Sequence, residues 1–213
     1  MSRGIGAAPV RDVLAFLARA YPGARVLLSF RDPFELLVAT VLAAQCTDER
    51  VNRVTPGLFR SYPGPAAFAN APPEELEEAV RPTGFFRNKA RAIRGLSAAI
   101  VSRHGGRVPD TMEALTALPG VGRKTASILL GECFGVPALP VDTHVARVSF
   151  RLGLTASKDP GRIEEDLAGA IPKERWWEFA TRLGWHGRQV CTARKPKCGA
   201  CGLAAVCPRR GVR

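Results

Sequence analysis

A lysine, an aspartate and a run of cysteines carry the chemistry that this sequence can perform. Lys124 closes the segment Leu118-Pro119-Gly120-Val121-Gly122-Arg123-Lys124. It falls in the first turn of the next helix. There the partial positive charge of the helix N-terminus and the neighbouring Arg123 both disfavour an ammonium. A free amine is a nucleophile; the alternative is a lysine that contacts phosphate. Asp142 lies 18 residues downstream, in Pro140-Val141-Asp142-Thr143-His144. One helix and a short loop would bring it back near Lys124. The position also suits an N-cap, and a cap can hold a carboxylate ionised and fixed in place. Four cysteines come after it with the spacing Cys191-x6-Cys198-x2-Cys201-x5-Cys207. Four thiolates so close can enclose one metal centre, and the spacing alone leaves zinc and an iron–sulfur cluster equally open. Cys46 and Cys133 stand apart and read as small buried hydrophobes.

The elements that position these residues read as helices throughout, with no period-two alternation and no Asn-Gly hairpin signal. Val10, Val13, Leu14 and Leu17 share one face. Asp32-Pro33 is a cap followed by a proline suited to the first turn. The helix it opens, Phe34 to Gln45, is apolar almost all round and should be the buried central helix. Pro72-Pro73-Glu74-Glu75 starts another helix. Ile93, Leu96 and Ile100 mark a long basic one, and Asp110 with Glu113 resembles a capping box. Asp142 heads a helix with Val145 and Val148 on one face; Pro160 and Pro172 punctuate two more. Between the helical patterns, Gly120 and Gly122 permit positive φ and close backbone approach. The amides of Gly120, Val121, Gly122 and Arg123 can point together beside a helix N-terminus and hold an anion, and a DNA phosphate suits them. A plain tight turn is the alternative. With Leu118-Pro119 before it and Arg123-Lys124 after it, the segment matches a helix-hairpin-helix motif, which supplies affinity and register rather than sequence preference.

Composition narrows the partners. The chain has 213 residues, 46% of them hydrophobic, and a formal net charge of +12. It is long enough to bury a core without disulfides, and the charge attracts polyanions, of which nucleic acid is the commonest inside cells. No acid occurs between Glu78 and Asp110, a stretch holding seven Arg or Lys, and none comes after Glu178, where eight more lie. The longest nearly apolar run, Leu36 to Ala44, is too short to span a bilayer, and Met1-Ser2-Arg3-Gly4 lacks the apolar core of a signal peptide. A soluble cytoplasmic, nucleoid-associated monomer that binds DNA and no membrane is expected.

Leu118 to Lys124, followed by Val141-Asp142-Thr143-His144-Val145-Ala146-Arg147, resembles the helix-hairpin-helix-Gly-Pro-Asp glycosylase superfamily, and within it the endonuclease III family. The resemblance covers nearly the whole chain. It continues in Asp32-Pro33-Phe34-Glu35-Leu36-Leu37, Ala44-Gln45-Cys46-Thr47-Asp48, Thr83-Gly84-Phe85 and His186-Gly187-Arg188. It implies an all-α fold of two helical domains. Residues 26–136 would form a six-helix barrel with the hairpin. Residues 1–25 and 137–213 would form a cluster domain, and Lys124 and Asp142 would come from the two sides of a cleft. It implies a bifunctional DNA glycosylase and AP lyase that removes oxidised pyrimidines from double-stranded DNA and cuts abasic strands by β-elimination. The lysine at position 124 would attack C1′ of a flipped nucleotide, assisted by the aspartate at 142. It also decides the cysteine question: this spacing is that family's cluster loop, where a [4Fe-4S] centre sits on Cys191, Cys198, Cys201 and Cys207.

The same resemblance assigns further roles. Gln45 would enter the gap left by the flipped base and Phe85 would wedge the stack, although Gln45 also reads as a helix-end hydrogen-bonder and Phe85 as core. Asp48 and His144 would line the pocket, His144 reading equally as a structural hydrogen-bonder. Arg147 would contact phosphate or cap a helix, and Arg194, Lys195 and Lys197 make the cluster loop basic. Trp176, Trp177 and Trp185 read as core. Two positions depart from the family pattern: Phe85-Phe86 stands where an aliphatic residue and Tyr are expected, and Ser127 where Asn is. A monofunctional relative that activates water would lack Lys124, and its adenine-specific branch would need an acid that Val38 to Ala44 does not contain. A non-catalytic helix-hairpin-helix DNA-binding protein would need neither Lys124 nor Asp142.

Overall fold

The computed structural model describes residues 6–212, so the readings of Met1–Gly4 and of the last basic residue, Arg213, lie outside it. Among the described residues every regular element is a helix. The chain divides into two compact units: one covers Leu27–Val136, and the other joins the segment up to Val26 to the segment from Pro137 onward.

In the Leu27–Val136 unit the helices are α2 (Pro33–Leu42), α3 (Asp48–Ser61), α4 (Gly64–Ala69), α5 (Pro73–Val80), α6 (Phe86–His104), α7 (Met112–Thr116) and α8 (Arg123–Phe134). Helix α2 is its centre: Asp32 accepts the amide of Glu35 at 2.9 Å, Pro33 opens the first turn, and Leu36, Leu37, Val38, Ala39 and Leu42 are fully buried. Its one buried acid, Glu35, is paired by Arg31 through side chain and main chain. An aromatic cluster packs beside it, with the Phe68 ring set 5.5 Å from Phe34 and 6.3 Å from Phe59. Ile93, Leu96 and Ile100 of α6 complete this core.

Two boundaries differ from the sequence pattern. Helix α2 ends at Leu42 rather than Gln45, although apolar residues run on. The Leu42 carbonyl accepts from the Lys89 ammonium at 2.8 Å, and Cys46 N–H turns back to Ala43 instead. The cap of α7 is Thr111, whose hydroxyl accepts the Ala114 amide, rather than Asp110.

The other unit holds α1 (Val10–Ala20), α9 (Thr143–Leu152), α10 (Pro160–Ala170) and α11 (Trp176–Gln189), then an irregular cysteine-bearing segment with one 3-10 turn at Cys198–Ala200. Val13, Leu17, Val145, Val148, Leu152, Ile163, Leu167, Phe179, Leu183 and Leu203 form its core. Helices α9 and α11 touch at Gly187, where a Cβ would stand 2.9 Å from that of His144, so only glycine permits their approach. The tryptophans are half-buried; Trp176 and Trp185 donate to the carbonyls of Ile171 and Arg25.

Candidate functional site

The turn between α7 and α8 places four backbone units at the start of α8. Gly120 adopts φ +76°, and a Cβ there would lie 2.7 Å from that of Ala92 in α6. Glycine is therefore required twice over, for conformation and for room. Gly122 does not use positive φ. It is the N-cap of α8 at φ −92°, with open space where a Cβ would be. No side chain caps α8, so its first amides face outward with the helix dipole behind them, the geometry that receives an anion. Val121 corrects the sequence reading: its side chain is 6% exposed and belongs to the core, and its amide donates to Leu118 at 3.1 Å. It shapes the turn and offers nothing to a ligand. Gly120→Ala is expected to destabilise this unit by about 1–2 kcal/mol and to weaken duplex binding. Thermal melting and fluorescence anisotropy read both; an unchanged melt and affinity would show that the turn does not need its glycine.

Lys124 is the second residue of α8 and is exposed, next to the exposed Arg123. Asp142, in the other unit, is the N-cap of α9. Its Oδ1 accepts the amides of His144 at 2.8 Å and Val145 at 2.7 Å. Its Oδ2 lies 3.8 Å from the Arg188 guanidinium, and the side chain is 19% exposed. One oxygen is thus fixed by the helix while the other faces the Arg188 guanidinium. Burial first, and the guanidiniums of Arg188 and Arg147 after it, lower the His144 pKa, against the pull of Asp142. His144 Nδ1 stands 3.2 Å from Arg147 Nη2. A guanidinium only donates, so that ring nitrogen is the acceptor of a neutral imidazole.

The two residues assigned to the base gap share one backbone feature. Gln45 and Phe85 adopt φ +53° and +49°, left-handed conformations that cost a non-glycine residue strain. Both are exposed, Phe85 to 62%, so neither the core reading of Phe85 nor a helical Gln45 holds. The neighbouring Phe86 is instead covered by the guanidiniums of Arg81 and Arg87, 4.6 and 5.4 Å from its ring centre. Asp48 is half-buried at the first turn of α3.

In the other unit Cys191, Cys198, Cys201 and Cys207 line one half-open cavity together with Arg151, His186 and Leu203. Four thiols lining one cavity are a donor set that an iron–sulfur cluster takes. Burial raises the thiol pKa of Cys201 and Cys207, so a cationic centre is what makes thiolates of them, with release of protons. Arg194, Lys195 and Lys197 are exposed on this segment. Of the two readings of Arg147, its contacts favour the cap: the guanidinium donates to the carbonyl of Gly187 in the last turn of α11 (2.8 Å) and to those of Cys191 (3.1 Å) and Thr143 (3.4 Å). It ties α9 to α11 and the cysteine segment rather than presenting a fork to phosphate.

Sequence reasoning missed three supports of this segment: Arg151, His186 and Tyr21. Arg151, buried one helical turn after Arg147, donates to the carbonyls of Thr192 at 2.7 Å and Ala193 at 2.9 Å and to the Cys191 sulfur at 3.3 Å. His186 holds Tyr21 Oη at 2.9 Å on one ring nitrogen and the Cys201 sulfur at 3.6 Å on the other. Burial takes its pKa down to about 4, so the ring is neutral. The i, i+4 spacing of Arg147 and Arg151 was the available signal for Arg151, since it puts both on one face of α9. Cys46 and Cys133 are half-buried rather than fully buried, and burial pushes the Cys133 thiol to about 11.

Residues 38–173 match the HhH-GPD superfamily of base excision DNA repair proteins, and residues 191–207 match the iron-sulfur binding domain of endonuclease III. An endonuclease III of Synechocystis sp. is 52% identical over 198 residues, spanning 92% of this chain and 90% of the relative. Two solved structures superpose with a TM-score of 0.89 at 45% identity, covering 93% of each chain. One is a non-covalent endonuclease III–DNA complex and the other a trapped endonuclease III–DNA covalent intermediate.

Proposed function

The chain belongs to the endonuclease III family of the HhH-GPD superfamily, and on that premise we propose that Lys124 is its nucleophile, Asp142 its charge-stabilising carboxylate and the α7–α8 turn its grip on the strand. The activity is that of a base-excision repair DNA glycosylase and AP lyase acting on oxidised pyrimidines.

The proposed sequence uses the chain's own groups. The hairpin amides hold a backbone phosphate while the damaged base leaves the stack, with Gln45 and Phe85 filling the gap. As the glycosidic C–N bond breaks, positive charge grows on the sugar. A carboxylate whose orientation is set by two helix amides stabilises that charge without reorganising. The free amine of Lys124 forms the C–N bond at C1′, and the base departs with the bonding electron pair and a proton. The C1′–O4′ bond then breaks, O4′ takes a proton, and the opened sugar is left as a protonated imine. Loss of a C2′ proton expels the 3′ phosphate, which is β-elimination. A [4Fe-4S] cluster held by Cys191, Cys198, Cys201 and Cys207 gives the basic segment its shape, and neither bond cleavage transfers electrons.

The observation that carries this reading is the Asp142 carboxylate, held through Oδ1 by two backbone amides with Oδ2 facing the Arg188 guanidinium. Nucleoid association as a monomer accords with the net charge of +12, and no helix among the described residues is long and apolar enough to cross a membrane. Duplexes carrying single lesions against each opposite base test the specificity. Oxidised pyrimidines are expected to be released and the strand nicked, with undamaged duplex untouched. Release of adenine or of mismatched thymine without nicking would favour a monofunctional enzyme instead.

A further inference from the structure

Lys89 sits on α6 among the buried residues of the Leu27–Val136 unit, 5% exposed, and no carboxylate among the described residues pairs with it. Its ammonium donates to the carbonyls of Leu42 at 2.8 Å and Thr83 at 2.7 Å. Leu42 is the last residue of α2, and Thr83 the last of a 3-10 turn, Arg81–Thr83. Both are helix C-termini, whose unsatisfied carbonyls carry partial negative charge and so favour a cation. A buried ammonium is costly unless so partnered, and burial accordingly lowers the Lys89 pKa.

Each of these carbonyls lies at the root of an exposed loop. Three residues beyond Leu42 stands Gln45, and two beyond Thr83 stands Phe85. Within the unit these are the two non-glycine residues with left-handed backbone, and both are exposed. Strained conformations persist only where their surroundings over-determine them. One nitrogen fixes the root of both loops, although Gln45 and Phe85 are 40 residues apart in the chain.

We propose that Lys89 is a positioning residue for base extrusion: it ties the Gln45 and Phe85 loops into one rigid two-pronged wedge that fills the duplex when the damaged nucleotide leaves it. This rests on the repair activity proposed above. Lys89 itself touches no DNA. Its removal should leave the hairpin, Lys124 and the cluster segment in place while letting the prongs move independently.

The test compares two substrates. An abasic site in single-stranded DNA presents no stack to open, so a wedge contributes nothing to its capture; a lesion in duplex needs it. Lys89→Met is expected to lower single-turnover nicking of an oxidised-pyrimidine duplex about 10- to 100-fold, and to suppress the fluorescence rise of 2-aminopurine placed opposite the lesion. Borohydride trapping on the single-stranded abasic oligonucleotide should fall far less. Lys89→Gln, which keeps a donor of shorter reach, should recover part of the duplex rate; it also serves as the test protein if Lys89→Met does not fold, judged by circular dichroism and cluster absorbance. Equal losses on both substrates, or an undiminished duplex rate, would overturn the inference. If the wild-type protein itself fails to be trapped on either substrate, the repair reading falls first.

Discussion

Lys124→Gln is expected to retain abasic duplex binding and lose about 10³-fold or more of its strand scission, the scale on which deleting a nucleophile acts. The side chain is exposed at the second position of α8. Its loss should therefore leave stability within about 0.5 kcal/mol. The hairpin amides proposed to grip phosphate are backbone groups and survive the substitution. Gel-based nicking and anisotropy on the same duplex separate the two effects. Nicking at the wild-type rate would remove Lys124 from the chemistry and leave it as a phosphate contact.

Asp142→Asn is the second large effect, and its value lies in what it preserves. The carboxylate does two jobs, capping α9 through Oδ1 and presenting Oδ2 beside Arg188. An asparagine oxygen can accept the same two amides, so the cap persists and the charge does not. We expect the glycosylase step to slow about 10²- to 10³-fold, with the melting temperature little changed and DNA affinity equal or higher, because one negative charge has left a basic surface. Asp142→Ala should add a loss of about 1 kcal/mol in stability for the missing cap. If Asp142→Asn proves fully active while Asp142→Ala is merely less stable, Asp142 is a cap alone.

The parts of this site that are legible in the sequence are those fixed by local chemistry. Gly120 needs a left-handed backbone within a seven-residue motif, Asp142 caps the helix it begins, and the cysteine spacing is contained within one segment. The end of α2 is not legible, because its cause is not local: the residue that takes the Leu42 carbonyl is 47 positions away. The inward turn of Arg147 is hidden as well. A basic residue near a basic loop carries no sign of which way it points, and two of its three carbonyl partners lie 40 and 44 positions along the chain. Val121 groups by position with its glycine neighbours, although an aliphatic residue between them is the one that can fill the core. The residues proposed to do chemistry announce themselves by type and spacing, whereas those that hold them in place are visible only once distant segments have met.

The most direct test of the central claim is to identify the amine that becomes joined to the sugar. The wild-type protein would be reduced with borohydride on an abasic duplex, digested, and the modified peptide sequenced by mass spectrometry. A single adduct on Lys124 is the predicted result. An adduct on another lysine or on the chain's terminal amine, or none at all while nicking proceeds, would contradict it.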